Sequence, residues 1–156
     1  MKTKVLMVCL GNICRSPLAE GILKSKVNSE DVFVDSAGTA GYHIGNPPDP
    51  RSISVAGKYG IDISTQKCRK FSLNDFKEFD FIYVMDQNNF MDILSLAESE
   101  NEKQKVSLLL NEVNLGVKEV PDPYYGGDDG FENVFEMIDL ACEAIATKIS
   151  HIHGRG

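Results

Sequence analysis

The stretch that most limits what this chain can become runs from Val5 to Pro17. The apolar run Val5-Leu6-Met7-Val8 leads into Cys9-Leu10-Gly11-Asn12-Ile13-Cys14-Arg15, and Ser16-Pro17 opens a helical pattern with Leu18, Ala19, Ile22, Leu23 and Val27 on one face. A short continuous apolar run fits a strand buried on both faces, as in a parallel sheet. Ser16 is expected to cap the helix, with Pro17 at its first position. A strand that enters a helix through a tight loop is the first half of an α/β unit, and the rest of the chain repeats the alternation.

Val32 to Ser36 reads as a second strand and Phe81 to Met85 as a third, the strongest β signal present. Val106 to Leu110 reads as a fourth. Between them, Arg51 to Tyr59 is expected as a helix stopped by Gly60, and Ser72 to Asp75 as a capped turn opening a short helix. Asp86 is expected to cap a helix whose inner face holds Phe90, Ile93, Leu94 and Ala97. Glu98 to Lys105 is polar and reads as an exposed connection. Phe131, Val134, Phe135, Ile138, Ala141, Cys142, Ile145 and Ile149 recur at helical spacing, which predicts one long helix with a core-facing stripe. Strands alternating with helices predict an α/β fold: a four-stranded parallel sheet in three layers, with helices on both faces. In such sheets ligands bind beyond the carboxyl ends of the strands. The loops beginning at Cys9, Ser36, Asp86 and Asn111 should therefore share one edge.

The length of 156 residues fits one domain spanning 1–156. A net charge of −7 argues against nucleic acid and anionic membrane as general partners. Any anion must be met by a local positive pocket. No apolar run reaches the roughly 20 residues of a membrane span, and no secretory signal pattern precedes the first strand, so the expected setting is cytoplasmic. The four cysteines, Cys9, Cys14, Cys68 and Cys142, form no C-x-x-C pair, and His43, His151 and His153 are scattered. Neither a disulfide framework nor a metal site is expected.

The opening loop has the make-up of an oxyanion site with its own nucleophile. Gly11 and Asn12 permit unusual backbone angles, so successive N–H groups can turn inward as an anion nest. The loop opens on a helix N-terminus, which adds the positive end of the helix dipole. Arg15 can grip two phosphate oxygens as a fork. Cys9 stands where that field favours thiolate, and the Ser16 hydroxyl is a candidate donor to its sulfur. A thiolate attacking phosphorus needs a group to protonate the leaving oxygen. Asp122, held between Pro121 and Pro123, is the best candidate. Tyr124 and Tyr125 either wall a pocket for a flat aromatic ring or cover core. The long loop from Ala37 to Pro50, carrying Tyr42 and His43, is expected to rim the site.

Four motifs in order resemble the low-molecular-weight protein tyrosine phosphatases: C-L-G-N-I-C-R-S-P, D-S-A-G-T, G-N-P-P-D-P-R and D-P-Y-Y-G. The resemblance implies hydrolysis of phosphotyrosine or small aryl phosphates through a phosphocysteine, with inorganic phosphate as product and no cofactor. It implies that Cys9 is the nucleophile, Arg15 the phosphate-binding arginine and Asp122 the general acid. Leu10, Gly11, Asn12, Ile13, Cys14 and Ser16 then form the phosphate loop, Ser36 supports it, and Tyr42, Tyr124 and Tyr125 line the substrate pocket. It also implies that Cys14 can form a protective disulfide with Cys9. Gln66 stands where many members carry a loop-supporting histidine. Two other readings use the same loop. An arsenate reductase needs further resolving thiols, of which Cys68 is the one candidate off the core. A non-catalytic phosphoanion-binding domain has no need of Asp122.

Overall fold

The computed structural model describes residues 2–124 and 128–154. Four parallel strands, β1 (Thr3–Cys9), β2 (Val32–Gly38), β3 (Phe81–Val84) and β4 (Val106–Leu108), lie in the order β2-β1-β3-β4. The helices are α1 (Arg15–Lys26), α2 (Pro50–Lys58), α3 (Asp75–Glu78), α4 (Gln87–Leu94), α5 (Glu100–Gln104) and α6 (Asp128–Ile152). Side chains alternate across the sheet, as strand geometry requires. Val5, Met7 and Tyr83 join α1, α2 and α6 in one core, whereas Leu6, Val8, Ile82 and Val84 join Phe76 of α3 and Ile93 of α4 in the other. The three-layer α/β expectation is met. Among the described residues no helix is long and apolar enough to cross a membrane.

The strand order places the site. From β1 the chain passes to β2 on one side and later to β3 on the other, with Cys9 opposite Gly38 and Val8 opposite Val84. The loop after β1 therefore leaves at the topological switch point, where the crevice of an open parallel sheet forms.

Several local expectations are corrected. β2 continues past Ser36 to Gly38, because segment 69–71 runs beside its end: Gly38 N–H donates to the Arg69 carbonyl at 2.9 Å and Phe71 N–H to the Gly38 carbonyl at 2.8 Å. β4 stops at Leu108 and gives way to a 3₁₀ turn, Leu109–Glu112. The polar connection after Glu98 contains α5, capped by the Ser99 hydroxyl accepting from Glu102 N–H. Helix α1 is more deeply sunk than an amphipathic stripe implies, since every residue from Arg15 to Leu23 is buried. Ser16 does not cap it. The cap residue is Cys14, with no side-chain bond, and Ser16 and Pro17 lie inside the first turn, where proline is tolerated. The hydroxyl is committed elsewhere.

Candidate active site

The loop 10–14 is held from outside by its carbonyls. The Cys9 carbonyl accepts from Thr39 N–H and the Leu10 carbonyl from Ala40 N–H, both at 2.9 Å. The Asn12 carbonyl accepts from the Cys68 thiol at 2.8 Å, and the Ile13 carbonyl from Asp49 N–H at 2.8 Å. The chain contains no cis peptide among the described residues. In a trans peptide the C=O and the following N–H point opposite ways. Carbonyls drawn outward thus turn the N–H groups of Leu10, Gly11, Ile13 and Cys14 inward. Asn12 has a φ of 56°, the left-handed bend that lets the loop curl. β2 presses closely on the loop's back: a Cβ on Gly38 would lie 2.8 Å from the Leu10 carbonyl oxygen.

A hydrogen-bond chain ends at Cys9. The Asn12 amide is fixed by Arg69 N–H, which donates to its Oδ1 at 3.0 Å. Its Nδ2 then donates to Ser16 Oγ at 2.8 Å and to Ser36 Oγ at 3.0 Å. Ser36 passes its own hydrogen to Glu20 Oε1 at 2.6 Å. Ser16 accepts from Asn12, and its hydroxyl lies 3.0 Å from Cys9 Sγ, with the Ala37 carbonyl a more distant acceptor at 3.5 Å. Glu20, 4% exposed, anchors the chain and is itself met by Lys24 at 2.6 Å. Its burial was not legible in sequence, where it reads as a polar-face residue of an amphipathic helix.

Arg15 is 2% exposed. Its Nη1 donates to Asp86 Oδ2 at 2.7 Å and to the Val120 carbonyl at 2.9 Å, and its Nη2 lies 3.8 Å from Asp122 Oδ2. Burial works against its charge, but the Cys9 sulfur and the Asp86 carboxylate more than offset that, and its pKa is raised. Asp86 has two tasks: Oδ1 caps α4 by accepting from Asn89 N–H, and Oδ2 orients Arg15. Sequence reading found only the cap. Val120 N–H in turn bonds the Met85 carbonyl at 2.8 Å, which brings the following Pro121-Asp122-Pro123 over the loop. Asp122 Oδ1 accepts from Tyr124 N–H at 3.0 Å, an Asx turn that fixes its rotamer.

These groups enclose a cavity of about 170 Å³ lined by Cys9, Leu10, Gly11, Ile13, Cys14, Arg15, Tyr42, His43, Asp122 and Tyr124. Of the expected pocket residues, Tyr42 lies at the rim, 74% exposed, and Tyr124 forms a wall, 39% exposed. Arg51, paired to Asp49, packs its guanidinium 5.3 Å from the Tyr124 ring centroid and 4.7 Å from that of Phe131. That clamp was not expected. Tyr125 lies outside the described residues. Asn12, Ser16 and Ser36 stand behind the loop rather than in the cavity. Cys14 faces it, and burial, followed by the charge of Asp49, pushes its thiol up to about 12. Gln66 donates to the Pro17 carbonyl at 3.1 Å, bracing the first turn of α1 rather than the loop itself. Cys68 is not an accessible thiol: it is 4% exposed, beneath the loop.

Comparison with known proteins places this arrangement. The family model for low molecular weight phosphotyrosine protein phosphatase matches residues 4–153. The chain is 40% identical over 149 residues to the human low molecular weight phosphotyrosine protein phosphatase, covering 92% of this chain and 94% of that one. Its structure resembles the protein tyrosine phosphatase of Entamoeba histolytica with Hepes in the active site, with a TM-score of 0.90 and 38% identity over 99% of this chain and all 100% of the other. It also resembles Wzb of Vibrio vulnificus in complex with benzylphosphonate, with a TM-score of 0.84 and 30% identity over 95% of this chain and 99% of the other.

Proposed function

The chain belongs to the low molecular weight phosphotyrosine protein phosphatases, and on that premise we propose that it hydrolyses phosphotyrosine and small aryl phosphate esters through a phosphocysteine on Cys9. One observation carries this reading. A thiol with a hydroxyl donor, a buried guanidinium, a ring of inward amides and a carboxyl group converge on one small cavity.

In the first step Cys9 sulfur attacks phosphorus, the S–P bond forms and the P–O(aryl) bond breaks. Arg15 and the loop amides hold the three equatorial oxygens, and Asp122 gives its proton to the departing phenolate oxygen. In the second step Asp122, now a carboxylate, takes a proton from water as its oxygen attacks phosphorus. The S–P bond breaks, the Ser16 hydroxyl receives the returning thiolate, and inorganic phosphate leaves. Preorganised donors aimed at developing charge are worth about 2.7–4 kcal/mol each, and a positioned acid about 10²–10⁴-fold, so the loop carries more of the rate than Asp122.

Tyr124, Tyr42 and the Leu10 side chain at the mouth fit an aryl leaving group, and the benzylphosphonate bound to the Vibrio relative likewise carries an aromatic ring beside its phosphonate. The proposed chemistry needs a free Cys9 thiol, and we take residues 1–156 to act as one phosphatase unit in a reducing cytoplasm. The buried Cys68 and Cys142 are poorly placed to serve an arsenate relay.

The test is steady-state turnover over phosphotyrosyl, phosphoseryl and small aryl phosphates with the parent and Cys9→Ser. The parent should prefer aryl esters, and the variant should lose at least about a thousandfold in kcat while still binding phosphate. Near-parent turnover by Cys9→Ser removes the nucleophile assignment. Equal rates on phosphoserine remove the aromatic pocket.

A further inference from the structure

Of the loop carbonyls anchored from outside, those of Cys9, Leu10 and Ile13 accept from backbone N–H groups, which no substitution short of proline removes. The carbonyls of Asn12 and Cys14 are met by side chains, that of Cys14 by the Ser52 hydroxyl at 3.4 Å. The Asn12 carbonyl accepts from the Cys68 thiol at 2.8 Å, whose sulfur also lies 3.8 Å from the Pro47 carbonyl oxygen. Asn12 is also the loop residue in the left-handed region, a conformation that persists where its surroundings over-determine it. Its amide is tied on both sides, to Arg69 N–H and to Ser16 and Ser36. Its backbone carbonyl is tied through Cys68.

Cys68 is well placed to be a fixed donor. Its own N–H bonds the Asn46 carbonyl and its carbonyl accepts from Gly45 N–H, both at 2.8 Å, so it is locked to the loop that rims the cavity. Burial, and then the charge of Cys9, pushes its thiol up to about 11, so it remains S–H at neutral pH. A thiolate there could only repel the carbonyl oxygen.

We propose that Cys68 is a positioning residue: its S–H bond to the Asn12 carbonyl fixes the 12–13 peptide so that Ile13 N–H points at the phosphoryl oxygens. The inference rests on the phosphatase reading of the cavity. Because the peptide is rigid and trans, the orientation of one end dictates the other. Loss of the bond leaves the nest one amide short or misaimed, and the effect appears at the anion rather than in the core.

The experiment compares parent, Cys68→Ser, Cys68→Ala and Cys68→Val by titration with inorganic phosphate, aryl phosphate kinetics and the ¹H–¹⁵N signal of Ile13. Serine keeps a donor, whereas alanine and valine do not, and valine also keeps the volume. Both apolar variants should bind phosphate about three- to tenfold more weakly, the size of one lost hydrogen bond. Their kcat should fall by a similar factor, and the phosphate-induced shift of Ile13 should be reduced. Serine should stay within about twofold of the parent. Unchanged phosphate affinity in all variants overturns the proposal. So does a serine variant as weak as alanine, which would mean that the thiol acts by packing. Should the apolar variants not fold, the bond is read in the parent as a deuterium isotope shift at the Asn12 carbonyl carbon, and its absence also overturns the proposal. A parent that binds no phosphate at all removes the phosphatase reading, and this inference with it.

Discussion

Asp86 holds Arg15 from the side away from the cavity, Oδ2 to Nη1 at 2.7 Å, while its other oxygen caps α4. One carboxylate thus couples the end of β3 to the guanidinium that lines the cavity. The pair is shielded, with Arg15 3% and Asp86 20% exposed at the side chain, so the bond is charge-assisted in a region of low dielectric. Asp86→Ala should lower kcat/KM by about ten- to a hundredfold, the value of one hydrogen bond to a charged group. It should also cost about 1 kcal/mol of stability through the lost cap. Asp86→Asn can keep the cap, so its melting temperature should stay nearer the parent's while kcat/KM still falls. Kinetics and thermal melts on the two variants separate the two tasks.

Asp122 should be felt in proportion to how much help the leaving group needs. With Asp122→Asn, kcat/KM for phenyl phosphate, which reports the leaving-group step alone, should fall by about 10²–10⁴-fold. For p-nitrophenyl phosphate, whose leaving group departs without a proton, kcat/KM should fall far less. Equal losses of kcat/KM on both esters would remove the general-acid role.

Gly38 should tolerate nothing larger. A Cβ there meets three backbone atoms of the loop, the Leu10 oxygen at 2.8 Å, Asn12 N at 3.0 Å and Gly11 C at 3.0 Å, none of which can rotate away. Gly38→Ala should destabilise by about 1–3 kcal/mol through overpacking and should weaken phosphate binding, because the shifted atoms belong to the loop. Gly57 in α2 is the control. A Cβ there meets nothing within 4 Å, and Gly57→Ala should stabilise by about 0.5–1 kcal/mol without touching activity. Chemical denaturation and phosphate titration of both variants check the pair.

The cap of α2 should titrate. Asp49 accepts from Arg51 N–H at 2.8 Å and pairs with the Arg51 guanidinium at 3.1 Å. Burial raises its pKa, but the bonds from Arg51 outweigh this and the net shift is downward. A depressed folded value means that its stabilisation is complete above the unfolded value, about 3.9, and is lost as pH falls through the folded one. Asp49→Ala should therefore cost about 1 kcal/mol at neutral pH, with the gap in melting temperature closing below about pH 4. A gap independent of pH would show that the carboxylate charge contributes nothing.

Cys14 should guard Cys9 slowly. Its thiol is raised to about 12, so little thiolate is present at neutral pH to attack an oxidised Cys9. Peroxide inactivation should be reversed by thiol in the parent and less completely in Cys14→Ser, and the protective disulfide should form faster as pH rises. Equal recovery of the two proteins leaves Cys14 as loop packing.

Much of the site was legible in the sequence because it is local. Cys9 to Arg15 are consecutive, and a strand, a glycine-bearing loop and a helix start are enough to predict their curl and their anion chemistry. The alternation of strands and helices gave the sheet, and with it the edge where loops must meet. Asp122 could be picked out because two prolines mark it. The α5 segment was missed because its residues are polar throughout, and no burial pattern announces a helix that rests on its caps. Ser16 was misjudged as a cap because cap propensity assumes that the hydroxyl has no better partner, and here it has Cys9 and Asn12.

What lay beyond sequence reading is what depends on distance. The chain alone pointed to the groups proposed to carry the chemistry: a thiol, a guanidinium, a loop able to bend at Gly11 or Asn12, and a braced carboxyl; the structure puts the left-handed bend at Asn12. Only the tertiary structure decided how they are held. Asp86 reaches Arg15 across 71 residues, Glu20 anchors Ser36, and Cys68 closes on Asn12 from 56 residues away. A helix cap, a polar-face glutamate and a spare cysteine look ordinary in one dimension. They become the frame of the loop only when packing removes water and each buried polar group must find its partners within the protein.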